Sequence, residues 1–326
     1  MSFKKSEQLN ILDTVFKKEF KNGLGLMKPQ WEVVAMAIPS STQTNTYGWL
    51  GHFPKMREWV GERQIQKMQA QGMTIENKLF ESTVSVPRTN IEDDQVGMFS
   101  TISKQAGQSA AELPDDLVFS LLKKGKTTQC YDGKMFFGID HPVYENVDGT
   151  GKSENQRNLT TGKAGKSTKP SGAGVADGAS ENGKTDKPAF YILDTTNAIK
   201  PLIWQERTKP EIEPKFDPSK SDKVFMEDIY LWGVRARGNA GFGFWQLIHR
   251  VENSEMTKEV LVEVITTMRH LKGDGGKLLN IRPNVLLVPP SLEYTARQLV
   301  EADVINGTTN VLKGVLKVEV SPFIVE

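Results

Sequence analysis

A single cysteine, Cys130, stands in 326 residues, so the chain can form no disulfide within itself and has no cysteine-based zinc site. This fits a reducing compartment during folding, and a lone thiol of this kind reads as a small buried hydrophobe rather than a nucleophile. A dominant charge is also missing. Lys and Arg total 41 against 40 for Asp and Glu, so no global field draws the chain to nucleic acid or to an anionic membrane. Long hydrophobic runs are absent as well: nothing approaches the roughly 20 apolar residues of a membrane span. MSFKKSEQLN lacks the apolar region of a signal peptide, and synthesis and residence in cytoplasm are expected. Histidine is sparse, and His52, His141, His249 and His270 show neither an i,i+4 pair nor metal-ligand spacing.

What is present begins with the N-terminal segment. Leu9, Leu12, Val15, Phe16 and Phe20 recur at helical spacing after Ser6, which predicts an amphipathic arm ending near Gly23. Residues 44–63, TNTYGWLGHFPKMREWVGER, then place two of the six tryptophans with Tyr47 and Phe53 among Gly48, Gly51, Pro54 and Gly61, where no helix can run. Three roles compete for this stretch: a nucleic-acid platform, an active-site lid, or an arm that finds its apolar partner on another molecule. Glu58 and Glu62 among the basic residues, and the lack of a wider basic stripe, count against nucleic acid.

From Met73 to Val86 the pattern is extended, with Phe80, Ser82, Val84 and Val86 on one face and Pro87 as its stop. Asn90 opens a helix with Glu92, Asp93 and Asp94 in its first turn and an apolar stripe of Met98, Phe99, Ile102 and Ala106, while Ala110 and Ala111 allow close packing. Pro114, Asp115 and Asp116 start a second helix that Gly125 ends. Residues 152–187 lose periodicity and read as an exposed loop. Strand-like runs resume with AFYIL and PLIWQER. From Asn253 the order is helix, strand, helix, strand, an α/β layer whose first helix buries Val260, Leu261, Val264, Ile265, Met268 and Leu271.

The motifs that carry chemistry elsewhere fail here on their surroundings. VDGTGKS and AGKST lack the glycine five residues before the Gly of Gly-Lys-Ser; Asn146 and Thr160 stand there. GNAGFGF has the wrong glycine order for a dinucleotide fingerprint and reads as a bend or bulge in strands. Asp140 could orient His141, but no serine or cysteine elbow accompanies them. No catalytic constellation is expected, and none of the motifs calls for a cofactor or a metal.

Read end to end, the chain resembles the major head (capsid) subunit of Mu-like tailed phages. The resemblance rests on TNTYGWLGHFPKMREWVGER, FESTVSVPRTNIEDDQVG, CYDGKMFFGIDHPVYENVDGTG, AIKPLIWQERTKPE, VFMEDIYLWGVRARGNAGFGFWQ and GDGGKLLNIRPNVLLVPPSLE, in that order from about Thr44 to Glu293. It implies the mixed α+β tailed-phage capsid fold of the Hong Kong 97 type. The expected parts are an N-terminal arm at 1–43, an extended loop at 44–72 and the strand and spine helix of a peripheral domain at 73–124. A mixed peripheral and axial segment is expected at 125–251, and an axial α/β domain at 252–326.

The resemblance further implies a shell protein, not an enzyme, that forms hexamers and pentamers of an icosahedral head around double-stranded DNA, without sequence-specific binding and without a cofactor. The extended-loop residues Tyr47, Trp49, Phe53, Met56, Arg57, Glu58, Trp59, Glu62 and Arg63 are expected at the subunit interface. A separate scaffold, since the chain begins at Met1, a portal and a decoration protein are the expected partners. Host cytoplasm is the expected place of assembly, and non-covalent association is expected in the shell. The alternative is an encapsulin-like compartment of the same fold holding an enzyme cargo.

Overall fold

The computed structural model describes residues 2–48, 72–92, 96–147, 149–162, 187–217, 221–305 and 307–325. Its helices are α1 (Ser2–Leu26), α2 (Trp31–Val34), α3 (Arg88–Glu92), α4 (Val96–Lys123), α5 (Asp222–Glu227), α6 (Lys258–Arg269) and α7 (Glu293–Val300). One sheet of four strands runs β1 (Ala35–Pro39), β9 (Leu202–Lys215), β10 (Ile229–Phe242), β4 (Lys78–Pro87). A second, of five strands, runs β15 (Lys317–Val320), β12 (Val285–Val288), β8 (Phe190–Leu193), β11 (Ile248–Glu252), β7 (Leu159–Thr161). Two-stranded pairs complete it: β2 (Thr44–Tyr47) with β3 (Met73–Glu76), β5 (His141–Tyr144) with β6 (Ser153–Gln156), and β13 (Val304–Ile305) with β14 (Thr308–Thr309).

The four-stranded sheet hangs on β9 and β10, each 14 residues long and antiparallel, with register shifts around Arg235, Arg237 and Gly238. The irregularity expected in GNAGFGF falls just ahead of it, at Arg235–Gly238, and Gly238–Phe242 pair regularly with β9. A side chain at Gly238 would meet the Gln205 carbonyl and the Trp204 ring, and one at Gly241 would meet Ile75, so only glycine lets these layers close. One end of the ladder lies in the main core with Leu202, Ile203 and Phe242. The other reaches a satellite cluster in which Leu12, Phe16, Val86, Val224, Tyr230 and Trp232 are buried. There Phe16 stacks on Trp232 with centroids 4.3 Å apart. On β4 the expected face is met in part: Val86 is buried and Phe80 and Val84 are half-buried, but Ser82 is exposed like the opposite face.

The N-terminal helix departs from expectation by running through Gly23 to Leu26. A Cβ at Gly23 would sit 2.0 Å from the Lys104 carbonyl oxygen, and one at Gly107 would sit 2.2 Å from the Phe20 carbonyl oxygen. The two glycines therefore mark the crossing of α1 and α4, where the backbones touch and Ser103 Oγ donates to the Phe16 carbonyl at 2.7 Å. This corrects the predicted stripe on α4: Ser103 and Gly107 are buried, Ile102 is exposed and Ala106 half-buried, while the side chains of Met98 and Phe99 lie outside the described ones. The close approach is at Gly107 rather than at Ala110 and Ala111.

The two helices expected either side of Pro114 are one helix, α4, with Pro114 inside it. Proline costs that helix an amide donor, but the next residue is used from outside. Buried Asp115 Oδ1 accepts the amides of Gln30 at 3.0 Å and Trp31 at 2.6 Å, capping α2 from 84 residues away. Burial pushes the Asp115 carboxyl up despite these two donors. Beyond it Val118, Phe119 and Leu122 are buried, and Phe119 stacks on Phe323.

The C-terminal alternation is found as expected in α6, β12, α7 and β15, with Thr257 capping α6 and the six predicted apolar residues buried. Their sheet also takes β7, β8 and β11, so the α/β unit draws strands from 159–252, within the segment expected to be mixed. The exposed loop predicted for 152–187 is likewise shortened by β6 and β7; residues 163–186 lie outside the described ones. VDGTGKS is the turn joining β5 to β6, with Gly149 and Gly151 at positive φ.

The crossing of α1 and α4 gives a direct test. Gly23→Ala should destabilise the subunit by about 1–3 kcal/mol through the clash with Lys104, outweighing roughly 1 kcal/mol of helix propensity. Gly25→Ala, two residues away with open space around it, should be neutral or slightly stabilising. Urea unfolding of the two variants checks the contrast.

Candidate functional site: the root of the aromatic loop and a buried polar knot

The aromatic loop leaves and re-enters the fold through β2 and β3, which pair from Thr44↔Glu76 to Tyr47↔Met73. Tyr47, expected among the residues that meet a neighbour, is corrected to the chain's own core: it is 4% exposed. Its hydroxyl donates to Gln205 Oε1 at 2.6 Å, and burial pushes its phenol up. The Gln205 amide nitrogen donates to the Ile75 carbonyl at 3.2 Å and to Asn77 Oδ1 at 2.9 Å. Asn77 Nδ2 in turn donates to Ser40 Oγ and the Thr42 carbonyl, both at 2.8 Å. Asn77 interrupts what the sequence presents as one strand, and this network is why: its side chain turns inward to tie both legs of the loop to β9. Trp49, His52, Phe53, Met56, Arg57, Glu58, Trp59, Glu62 and Arg63 lie outside the described residues.

A second polar cluster gathers around CYDG. Gly133, at φ 76°, closes a tight turn in which its amide donates to the Cys130 carbonyl at 3.0 Å. Asp132 Oδ1 accepts from Cys130 Sγ at 3.0 Å and from the Lys134 amide at 2.9 Å; Oδ2 pairs with His141 Nδ1 at 2.6 Å. The His141 ring is fully buried and stacks on Trp245, centroids 4.0 Å apart. Asp140, the partner expected for His141, instead pairs with Lys134 at 2.7 Å. Asn158 pins the same segment by accepting the Gly138 amide and donating to the carbonyls of Phe136 and Trp245.

This arrangement does not make a nucleophile. The carboxylate lies between thiol and imidazole, so the base cannot take the thiol proton, and burial with the Asp132 charge pushes the Cys130 thiol well up. Burial alone would raise the Asp132 carboxyl, but its bonds to His141, Cys130 and the Lys134 amide outweigh that and hold it below the usual carboxylate range. Cys130, Asp132 and His141 also offer three donor atoms within 4.8 Å of one another. Two ligands of a tetrahedral ion with bonds near 2 Å stand roughly 3.3 Å apart, whereas Asp132 and His141 are in hydrogen-bond contact. The cluster is a polar knot that fixes residues 130–141 on the turn at Trp245–Leu247, with His141 Nε2 buried and unpaired among the described residues.

Two further polar groups link neighbouring strands of the five-stranded sheet. His249 is fully buried on β11, its Nε2 2.9 Å from Thr160 Oγ1 of β7, and burial with the nearby Arg157 charge holds its imidazole down at about 3. Arg250 on the same strand donates to Glu252 at 2.9 Å and to the Tyr191 hydroxyl at 2.8 Å, and Glu252 receives Lys126 at 2.7 Å from the turn after α4.

A four-stranded sheet carrying a long helix, a strand pair that roots a loop and a five-stranded α/β layer define a shell-building subunit with the tailed-phage capsid fold of the Hong Kong 97 type. The comparisons make the family specific. The chain belongs to the Mu-like prophage major head subunit gpT family, which it matches over residues 9–324. It is 41% identical to the major capsid protein of Escherichia phage Mu over 97% of this chain and 98% of that one. The subunit of the bacteriophage JBD30 procapsid superposes with a TM-score of 0.80 at 43% identity, covering 97% of this chain and 98% of the other. The subunit of the JBD30 capsid decorated with minor capsid protein trimers gives 0.70 at 30% identity, covering 92% of each. The chain is thus a major capsid subunit, and the cargo-holding compartment is not favoured. Sequence reasoning singled out the loop but missed Gln205 and Asn77, which hold it; a buried glutamine in an apolar strand run, PLIWQER, was the available signal.

The buried imidazole of His249 predicts a pH dependence. Its folded value lies below the ordinary 6.5, so the unfolded chain takes the proton first, and stability complete above that pH is lost as pH falls towards about 3. Between pH 6.5 and 4.5 the wild-type chain should lose up to about 1.4 kcal/mol per pH unit, and His249→Gln should lose less. Equal slopes in urea titrations of the two would refute a neutral buried imidazole.

Proposed function

We propose that this subunit builds the hexamers and pentamers of an icosahedral phage head around double-stranded DNA, and that its work is association rather than catalysis. The observation that carries the reading is the rooted loop: Tyr47, Gln205 and Asn77 fasten both legs to β9 at the point where the aromatic stretch departs. A loop held so firmly at its base presents its aromatic residues to a neighbour at a lower ordering cost than a free tail would. Trp49, Phe53, Met56 and Trp59 are the apolar anchors on this reading, and Arg57, Glu58, Glu62 and Arg63 set register across the seam.

The magnitudes support it. A buried tryptophan removes about 150–250 Å² from water, roughly 4–6 kcal/mol gross at about 25 cal/mol per Å². Each subunit in a closed shell touches several others, so modest contacts add through effective concentration. Near balance of 41 basic and 40 acidic residues suits a container that must release its DNA. Assembly in the host cytoplasm, non-covalent seams, a separate scaffold and a portal belong to the same proposal. The minor capsid protein trimers on the JBD30 capsid make a decoration partner part of it too.

Trp59→Ala tests the reading. The variant should remain a folded subunit with an unchanged urea midpoint, yet form no closed particles by electron microscopy under conditions where the unaltered chain does. Shells of normal yield, or a variant that unfolds as a monomer, would overturn the assignment of this loop to the interface.

A further inference from the structure

We infer that the outer edge of β4, residues 78–87, is a strand-addition site that receives an extended segment from a second copy of this chain. β4 is an outermost strand of its sheet, paired on one side only, to β10, through ten consecutive residues from Lys78↔Gly238 to Pro87↔Ile229 with no irregularity. In such a pair every second residue points its N–H and C=O away from the partner. Among the described residues, none supplies a backbone hydrogen bond to Lys78–Val86 on that outer side. Most of the strand is exposed, including Leu79 at 60%.

Proteins normally blunt such an edge by shortening it, charging it, bulging it or inserting proline. The other edges of the two large sheets obey that rule. β1 has five residues and ends in Pro39, β7 has three, and β15 has four, with Lys317 paired to Glu319. β4 is ten residues long, about 33 Å, straight in register and free of proline before Pro87; its charges, Lys78 and Glu81, lie in its first four residues, and 82–86 carry none. It is also rich in residues that suit strands, Leu79, Phe80, Thr83, Val84 and Val86.

The unmet chemistry names the class of occupant, since only another extended backbone matches donors and acceptors that alternate along a strand. A second copy is the occupant because the JBD30 relatives are subunits of closed particles, in which copies are held against one another at high effective concentration. The inference rests on the shell-forming reading but not on the aromatic loop.

Residue-resolved hydrogen exchange on the full chain, free and in assembled particles, tests it. On assembly, alternate amides within 79–86 that exchange fast in the free subunit should slow by about tenfold or more, while those bonded to β10 stay slow in both states. Proline placed singly at Ser82 and at Thr83 gives a second readout, because neighbouring amides point to opposite sides of β4. One variant should lose the β10 ladder; the other should fold with an unchanged urea midpoint and yet form no particles. Particles whose outward amides exchange as fast as in free subunits overturn this inference alone, as does protection that appears only when a decoration protein is added. An outward-facing proline variant that assembles normally has the same force. Failure of the unaltered chain to form particles even when co-produced with its scaffold overturns the shell-forming reading and this inference with it.

Discussion

The antiparallel ladder between β9 and β10 is what the other parts are fastened to. Its two 14-residue strands run from the main core, at Leu202, Ile203 and Phe242, to the satellite core around Trp232. β1 and β4 are added to its flanks, α1 and α4 lie near its satellite end, and the loop root is bonded to Gln205 within it. Backbone hydrogen bonds contribute little net free energy one by one, but leaving them unmade in a buried setting costs about 1–3 kcal/mol each. A slip of one residue would also turn every side chain to the wrong face. The ladder therefore fixes geometry over a long distance, which is what a subunit needs if its projecting parts are to meet neighbours in register.

Polar residues do the joining where the layers meet. Asp115 caps α2, Asp132 binds Cys130 and His141, Gln205 holds Tyr47 and Asn77, and Arg250 links Tyr191 with Glu252. Each is largely buried, and each reaches at least one partner on another element, as Asp132 does His141 and Arg250 does Tyr191. Apolar packing alone tolerates sliding between surfaces; a buried carboxylate or amide does not, because an unsatisfied group costs more than the bond contributes. These residues give the subunit one definite arrangement of loop, helix and sheets.

Function arises from the parts that the fold leaves unfinished. Both legs of a loop are fastened to β9, and a long strand edge is unpaired among the described residues, whereas the polar groups that could suggest chemistry are bonded mainly to one another. The Cys130, Asp132 and His141 knot shows the difference well: three residue types common in active sites are placed so that the thiol and imidazole are buried and neither activates the other.

How much of this was legible depended on distance along the chain. The face of α6, the strand and helix order after Asn253, part of the alternation in β4 and the irregularity beside GNAGFGF come from local spacing, because a helix or strand buries what its own period puts on one side. The long, peculiar motifs carried the capsid resemblance for the same reason: they are contiguous. What only the tertiary structure decided was every feature whose partner lies elsewhere. Gly23 and Gly107 look like a helix stop and a flaw until two helices cross at them. Pro114 and Asp115 look like a helix start until Asp115 is seen capping residues 30 and 31. Tyr47 reads with the aromatic loop, yet its hydroxyl belongs to Gln205. Periodicity records which face is buried, but the partner that buries it is set by packing across the whole chain, and no local stretch contains that information.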